Sequence, residues 1–385
     1  DNKIYKTFIY NRLLTISFVF FILFYFLDFD YYNNLLANDY NYRYKPNGSI
    51  IVEHLVNFEL FKIDYLNFYL VPELIYGLLQ KITHNKEIFS IISNILNISL
   101  LFFSFGLFFK TLEIKNRESV ILIFLIFFFL YIGNWIWCFW KLADVYFLFI
   151  FSVLFYFLCI GLKKKKIKYL LYSLIFCFLS LFSKPQGVVM VPFFLISVFP
   201  LYYKEKINFF KFLSILFLIY LIFFPLVIFF LKETNQINIV VTFMSDGNIS
   251  GILYYKFDQF LEDFSLQESN FSEILYFYFL FIKKIIYQIT FIRETYSLNH
   301  NVFLIIYTLI FYFFLFINLD YVIKKENIFS KLAFLITLLS ILLHSSMGTA
   351  DEPNRYQLFH LVPLYILASI SFKRCLKYTI KYLNE

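Results

Sequence analysis

Three runs limit what this chain can become. Leu13–Leu27, Ile121–Ile132 and Phe209–Leu231 are almost continuously apolar, with no polar stripe at helical spacing. A surface helix of a soluble domain would carry such a stripe, and a barrel strand would alternate over a much shorter stretch. Lipid offers the backbone no hydrogen-bond partner, so an uninterrupted apolar run of about 20 residues is stable there only as a helix that satisfies itself. Composition agrees: 61% of the chain is hydrophobic and 16% charged, against about 45–50% and 25% in soluble domains. The sequence predicts an all-α polytopic membrane protein.

The runs place spans near 13–28, 87–109, 119–133, 142–162, 169–183, 187–203, 212–231, 301–318, 332–346 and 356–372, about ten transmembrane helices in a single integral domain over 1–385. The first is read as a retained span and not a signal peptide, because no A-x-A pattern follows it. Loops 1–12, 110–118, 163–168, 204–211, 319–331 and 373–385 hold 21 of the 34 Lys and Arg. Short basic loops stay on the cytoplasmic side, so both termini are expected there. The AT-rich style of the composition, heavy in Phe, Ile, Tyr, Asn and Lys, suggests a bacterial inner membrane.

Two outer loops are long, 29–86 and 232–300; the latter is a candidate acceptor side or lid. Pro46–Gly48 reads as a turn, Tyr65–Leu79 as helices along the membrane surface, and 271–292 as interfacial or partly embedded. The scarcity of Gly and Ala leaves little scope for packing through small-residue motifs. The cysteines, Cys138, Cys159, Cys177 and Cys375, are scattered, with no CxxC pair and no His/Cys cluster. That pattern argues against a zinc or redox site.

The polar residues with chemical potential fall on the outer side. Asp28, Asp30 and Asp39 follow the first span among tyrosines; a carboxylate at a membrane boundary can act as general base or help hold a divalent cation. Ser183–Gly187 is a tight connection whose Pro and Gly serve the turn, while Lys184 is placed to snorkel or to meet an interfacial phosphate. Arg355 can grip a phosphate with a forked pair of bonds, with Tyr356 beside it. Trp135, Trp137 and Trp140 read as an aromatic belt or as platforms for a sugar ring. Lys141 and Asp144, three apart at a helix start, read as a helix-face pair. His344 reads as a packing histidine, and Glu73 as a group that could line the same cavity.

This constellation resembles the GT-C superfamily of integral membrane glycosyltransferases. Its mannosyltransferase branch is similar at Asp28, Tyr31, Tyr32, Leu35 and Tyr40, with Leu36 where that branch has Ala and Asp39 where it has Gly. Asn67–Pro72 is similar to its aromatic-rich Pro stretch, Ser183–Gly187 to its basic-Pro turn, and Arg355-Tyr356 to its late Arg-Tyr before a Pro-containing helix. The resemblance implies transfer of a hexose such as mannose from a polyprenyl-phosphate donor to a glycan, lipid or protein acceptor, with inversion. Asp28 or Asp30 would be the base, and Lys184, Arg355 and Tyr356 would hold the donor phosphate. Tyr31, Tyr32, Asp39 and Trp140 would contact sugar. No cofactor is required, although Mg or Mn is compatible with the carboxylates. Membrane lipids are expected partners and nucleic acid is not. The active site would face the periplasm. A lipid-linked-oligosaccharide flippase and an O-antigen-type polymerase or ligase are the alternatives.

Overall fold

The computed structural model describes residues 2–27, 31, 45–56, 69–114, 117–140, 143–202, 297–345 and 358–383, with single positions near 214–218 and 282–290. Among these residues there is no strand. The helices are α1 (Asn2–Leu27), α2 (Lys45–Val56), α3 (Leu70–Thr83), α4 (Lys86–Thr111), α5 (Arg117–Leu130), α6 (Asp144–Lys164) and α7 (Ile167–Leu181). They continue with α8 (Met190–Tyr202), α9 (Leu298–Phe316), α10 (Leu319–Lys325), α11 (Asn327–Ser345) and α12 (Leu358–Leu383).

Every span expected from the sequence coincides with one of these helices except 212–231, most of which lies outside the described residues. Four stretches are long and apolar enough to cross a membrane: Lys86–Thr111, Asp144–Lys164, Leu298–Phe316 and Phe359–Tyr382. Shorter apolar helices accompany them at Arg12–Leu27, Ile167–Leu181, Gln186–Val198 and Asn327–Leu342. Large apolar side chains also face outward; Phe20 and Leu309 are 67% and 65% exposed. Apolar outside as well as inside is what a lipid-embedded helical protein requires.

With few small residues, the helices meet through aromatic rings. Phe105 sets its ring edge-on to Phe124 and Phe128, both at 4.9 Å between centroids, and Phe155 does so to Phe108 at 5.3 Å and Phe329 at 5.2 Å. Edge-to-face pairs add roughly 0.5–1.5 kcal/mol each beyond the area they bury. Buried serines return their hydroxyls to their own helix, Ser93 to Phe89 O and Ser104 to Leu100 O, both at 2.7 Å. That satisfies them without a partner helix.

The bundle has two chemically distinct ends, set by α6. Its 21 residues rise about 30 Å, the thickness of a hydrocarbon core. Asp144 opens it. At its other end Lys163 Nζ donates to Thr111 O at 2.6 Å and pairs with Glu113 Oε1 at 3.0 Å. Glu326 joins this end, its Oε1 accepting from the amides of Glu113 and Ile114 at 2.7 and 2.8 Å. Three basic loops read as cytoplasmic from charge alone therefore touch one another.

Two local expectations shift. Pro46–Gly48 is not a free turn but lies in the first turn of α2, where a proline is tolerated because its missing N–H would have no intrahelical partner. The described part of 271–292 does not lie only at a surface. Tyr312 OH donates to Ile289 O at 3.1 Å and Thr308 Oγ1 to Thr290 O at 2.8 Å. Those hydroxyls sit in the middle of α9 and in its C-terminal half, so this piece packs against the flank of that helix.

Candidate functional site: a buried ion pair among tryptophans and tyrosines

The turn between α7 and α8 is built to bury its lysine. Beyond Leu181 the chain folds back, with Gly187 N donating to Lys184 O at 2.8 Å and Ser183 Oγ to Ser180 O at 2.9 Å. Pro185 opens a short 3-10 helix over Pro185–Val189 and leaves Lys184 extended, as a residue before proline prefers. Gly187 is required here: a Cβ on it would overlap the backbone carbonyl of Ser180.

Held in this way, the Lys184 ammonium forms an ion pair with Asp144 Oδ1, the two side chains being 2% and 1% exposed. Asp144 is the first residue of α6, where the positive end of the helix dipole also favours a carboxylate. A lone buried charge would be strongly disfavoured; pairing and the helix terminus together offset the desolvation.

A third segment docks on the same turn. Val71 N donates to Phe182 O at 2.9 Å, bringing the start of α3 alongside, with Glu73 fully buried in its first turn. Tyr69, Tyr76, Phe89, Ala143 and Tyr146 then form a compact cluster, with Trp137, Trp140 and Val188 packed on it. Tyr76 meets Tyr146 edge-on at 5.4 Å, and Trp137 meets Trp140 at 5.3 Å. The tryptophans come from the α5–α6 connection, which coils into two 3-10 helices, Ile132–Asn134 and Ile136–Phe139. Asn97 of α4 holds that connection, Nδ2 donating to Cys138 O at 2.8 Å. On its far side Asn134 Nδ2 donates to Phe128 O at 2.9 Å and Asn134 Oδ1 accepts from Tyr365 OH at 3.3 Å.

In and around this cluster, Trp137 Nε1, Trp140 Nε1, Asn97 Oδ1 and Gln186 Oε1 are among the buried polar atoms that make no hydrogen bond among the described residues. Native proteins rarely leave buried polar atoms unsatisfied, and such atoms mark where water or a ligand is accommodated. Orphaned donors and acceptors among aromatic side chains make an environment that can accommodate water or the hydroxyls of a ligand.

Of the residues singled out from the sequence, Trp140 packs on this cluster, Lys184 pairs with Asp144, and Tyr31 is described and 55% exposed. Asp28, Asp30, Tyr32, Asp39, Arg355, Tyr356 and Lys141 lie outside the described residues, as does the side chain of His344. The elements next to them converge here. Near the C-terminus of α1, Tyr25 stacks on Phe139 at 5.6 Å, and at the N-terminus of α12 Phe359 packs edge-on to Phe147 of α6 at 5.0 Å. Trp135 is buried between Phe21, Phe24 and Phe139, whereas Trp137 and Trp140 are half-buried.

Asp144 is the residue whose role the sequence reading missed, because Lys141 was the nearer cation. The signal was present, however. Expected spans 142–162 and 169–183 are antiparallel neighbours, so Asp144 and Lys184 must end on the same side. No group of His, Cys, Asp and Glu that could hold a metal ion occurs among the described residues. Comparison with known proteins returns no matching family model, no matching curated protein and no matching solved structure.

Proposed function

We propose that the chain is an inverting membrane glycosyltransferase of the GT-C type, moving a hexose from a polyprenyl-phosphate carrier to an acceptor hydroxyl at the Lys184 end of the bundle. The observation that carries this reading is the buried Lys184–Asp144 pair at the head of α6, next in sequence to Ala143 and Tyr146 of a tyrosine- and tryptophan-rich cluster, with buried polar atoms nearby in the chain that find no partner among the described residues. A sugar phosphate offers hydroxyls for the orphaned groups, a ring face for the aromatics and a dianion or diester for the cation. The ends of α1 and α12 beside this cluster support a common site with Asp28, Asp30, Arg355 and Tyr356, which adjoin them in sequence.

In this mechanism the acceptor oxygen attacks the anomeric carbon from the face opposite the phosphate. Asp28, or alternatively Asp30, takes the hydroxyl proton, and the bond to the lipid phosphate oxygen breaks with its electrons. Lys184 and Arg355 stabilise the negative charge gathering on the departing phosphate, an electrostatic role that is effective because the donors are fixed in advance. Asp144 holds Lys184 in place until the phosphate competes for it. Trp137 and Trp140 would bind the sugar. The carboxylates of the first outer loop could also accept Mg or Mn.

The test is turnover of radiolabelled polyprenyl-phosphate sugars by protein reconstituted in vesicles, with wild type beside Asp28→Asn, Asp30→Asn and Lys184→Gln. The expected result is transfer or hydrolysis by wild type, loss in one aspartate variant and a large reduction in Lys184→Gln. Movement of labelled lipid between leaflets with no donor consumed would replace the enzyme reading by the flippase.

A further inference from the structure

At the opposite end of the bundle lies a cavity of about 630 Å³ lined by Glu113, Ile114, Tyr321, Lys325, Glu326, Ile370, Lys373, Arg374 and Lys377. We propose that it holds the phosphate of an anionic glycerophospholipid headgroup. This assignment is independent of the chemistry at the Lys184 end.

The charge balance comes first. Four cations and two carboxylates line the cavity, and each carboxylate already has one oxygen engaged. Glu113 Oε1 is paired with Lys163 at 3.0 Å, and Glu326 Oε1 takes the two amides of Glu113 and Ile114. Lys325, Arg374 and Lys377 form no ion pair among the described residues. Arg374 is nonetheless held: its guanidinium lies 3.9 Å from the ring centre of Tyr321, and its Nη2 donates to Tyr378 OH at 3.0 Å. Stacking of this kind fixes the plane of the guanidinium and leaves its remaining N–H groups able to bind a phosphate.

The surroundings favour a lipid over a soluble anion. Ile114 and Ile370 give the cavity an apolar part. Phe316 and Ile317, a few residues before Tyr321, are 53% and 48% exposed and offer acyl chains a path along the end of α9. The cavity also sits where apolar helices give way to the basic loops 110–118, 319–331 and 373–385. By the charge rule this is the cytoplasmic leaflet, where basic pockets between helices collect anionic headgroups.

The experiment is native mass spectrometry of the full chain in detergent, titrated with phosphatidylglycerol, with phosphatidylcholine or with glycerol phosphate. The variants are Arg374→Gln/Lys377→Gln, Lys325→Gln/Lys377→Gln (which keeps the Arg374–Tyr321 stack) and the control Lys164→Gln/Lys168→Gln, two exposed cations at the same end. Wild type should retain phosphatidylglycerol in preference to phosphatidylcholine. Both pocket variants should weaken that binding by roughly tenfold or more, as loss of charge-assisted contacts implies, and the control should match wild type. Equal retention of phosphatidylcholine would overturn the proposal, as would equal loss in the control. Displacement of the lipid by glycerol phosphate at comparable concentration would overturn the lipid assignment in favour of a soluble phosphate ester.

Discussion

Lys184 and Asp144 are forty positions apart in the chain, yet their charged groups meet where both side chains are almost wholly shielded from solvent. The pair ties the α7–α8 turn to the start of α6, and the neighbouring aromatics rest on that junction.

Removing one partner takes from the other buried charge the countercharge it meets in this pair. Lys184→Met and Asp144→Leu should each lower stability by about 3–5 kcal/mol, whereas Lys184→Met/Asp144→Leu should be destabilised by much less than the sum. Unfolding in detergent, read as a double-mutant cycle, checks this. Additive losses would mean that the two groups are not coupled.

Gly187→Ala tests the turn without touching a charge. The new methyl would collide with the Ser180 carbonyl, a backbone atom that cannot swing aside. The expected loss is about 1–3 kcal/mol or more. Gly106→Ala, where an added Cβ meets nothing within 4 Å, is the matched comparison and should leave the melting temperature unchanged or slightly raised, since alanine favours the helix.

Glu326 should make stability depend on pH. Burial pushes its carboxyl above the usual carboxylate range, only partly countered by the Glu113 amide, Lys163 and the Ile114 amide. The folded state therefore holds this proton more tightly than the unfolded chain does. Its contribution is fully present below the unfolded pKa and is lost as pH rises through the folded value. Melting temperatures from pH 4 upward should show this decline in wild type and less of it in Glu326→Gln. An identical slope in the two proteins would contradict it.

Tyr365→Phe should loosen the connection that carries the tryptophans. Tyr365 OH donates to Asn134 Oδ1 at 3.3 Å and lies 2.8 Å from Tyr307 OH, which donates to Phe127 O at 3.0 Å. Losing the hydroxyl leaves Asn134 Oδ1 buried without that donor, at about 1–3 kcal/mol. Tryptophan emission should shift to the red before global unfolding if the connection opens first. Coincident transitions would show that it does not.

Much of the architecture was legible because hydrophobic length is a local property. The runs around 87–109, 142–162 and 301–318 each became a long helix, and the basic loops at 110–118 and 319–331 meet through Glu326. Ion-pair choice was less legible. Asp144 had Lys141 three residues away, and only the antiparallel arrangement of α6 and α7 shows why Lys184 is its partner. The contact between Trp137 and Trp140 depends on a 3-10 coil held by Asn97 and Asn134, a local geometry that spacing alone does not specify. Within the first outer loop α2 and α3 are described as helices, whereas Asp28, Asp30 and Asp39 are argued from residue pattern.

The Lys184 clasp at one extremity of α6 and the Lys163 clasp at the other have a joint consequence. Both engage at once only if the helix has the correct length and the correct rotational phase. One residue inserted between them would turn Asp144 by about 100° relative to Lys163, so that one clasp opens when the other closes. The interval between the two ends of this protein is thus counted in residues, and a single codon inserted within α6 breaks the count.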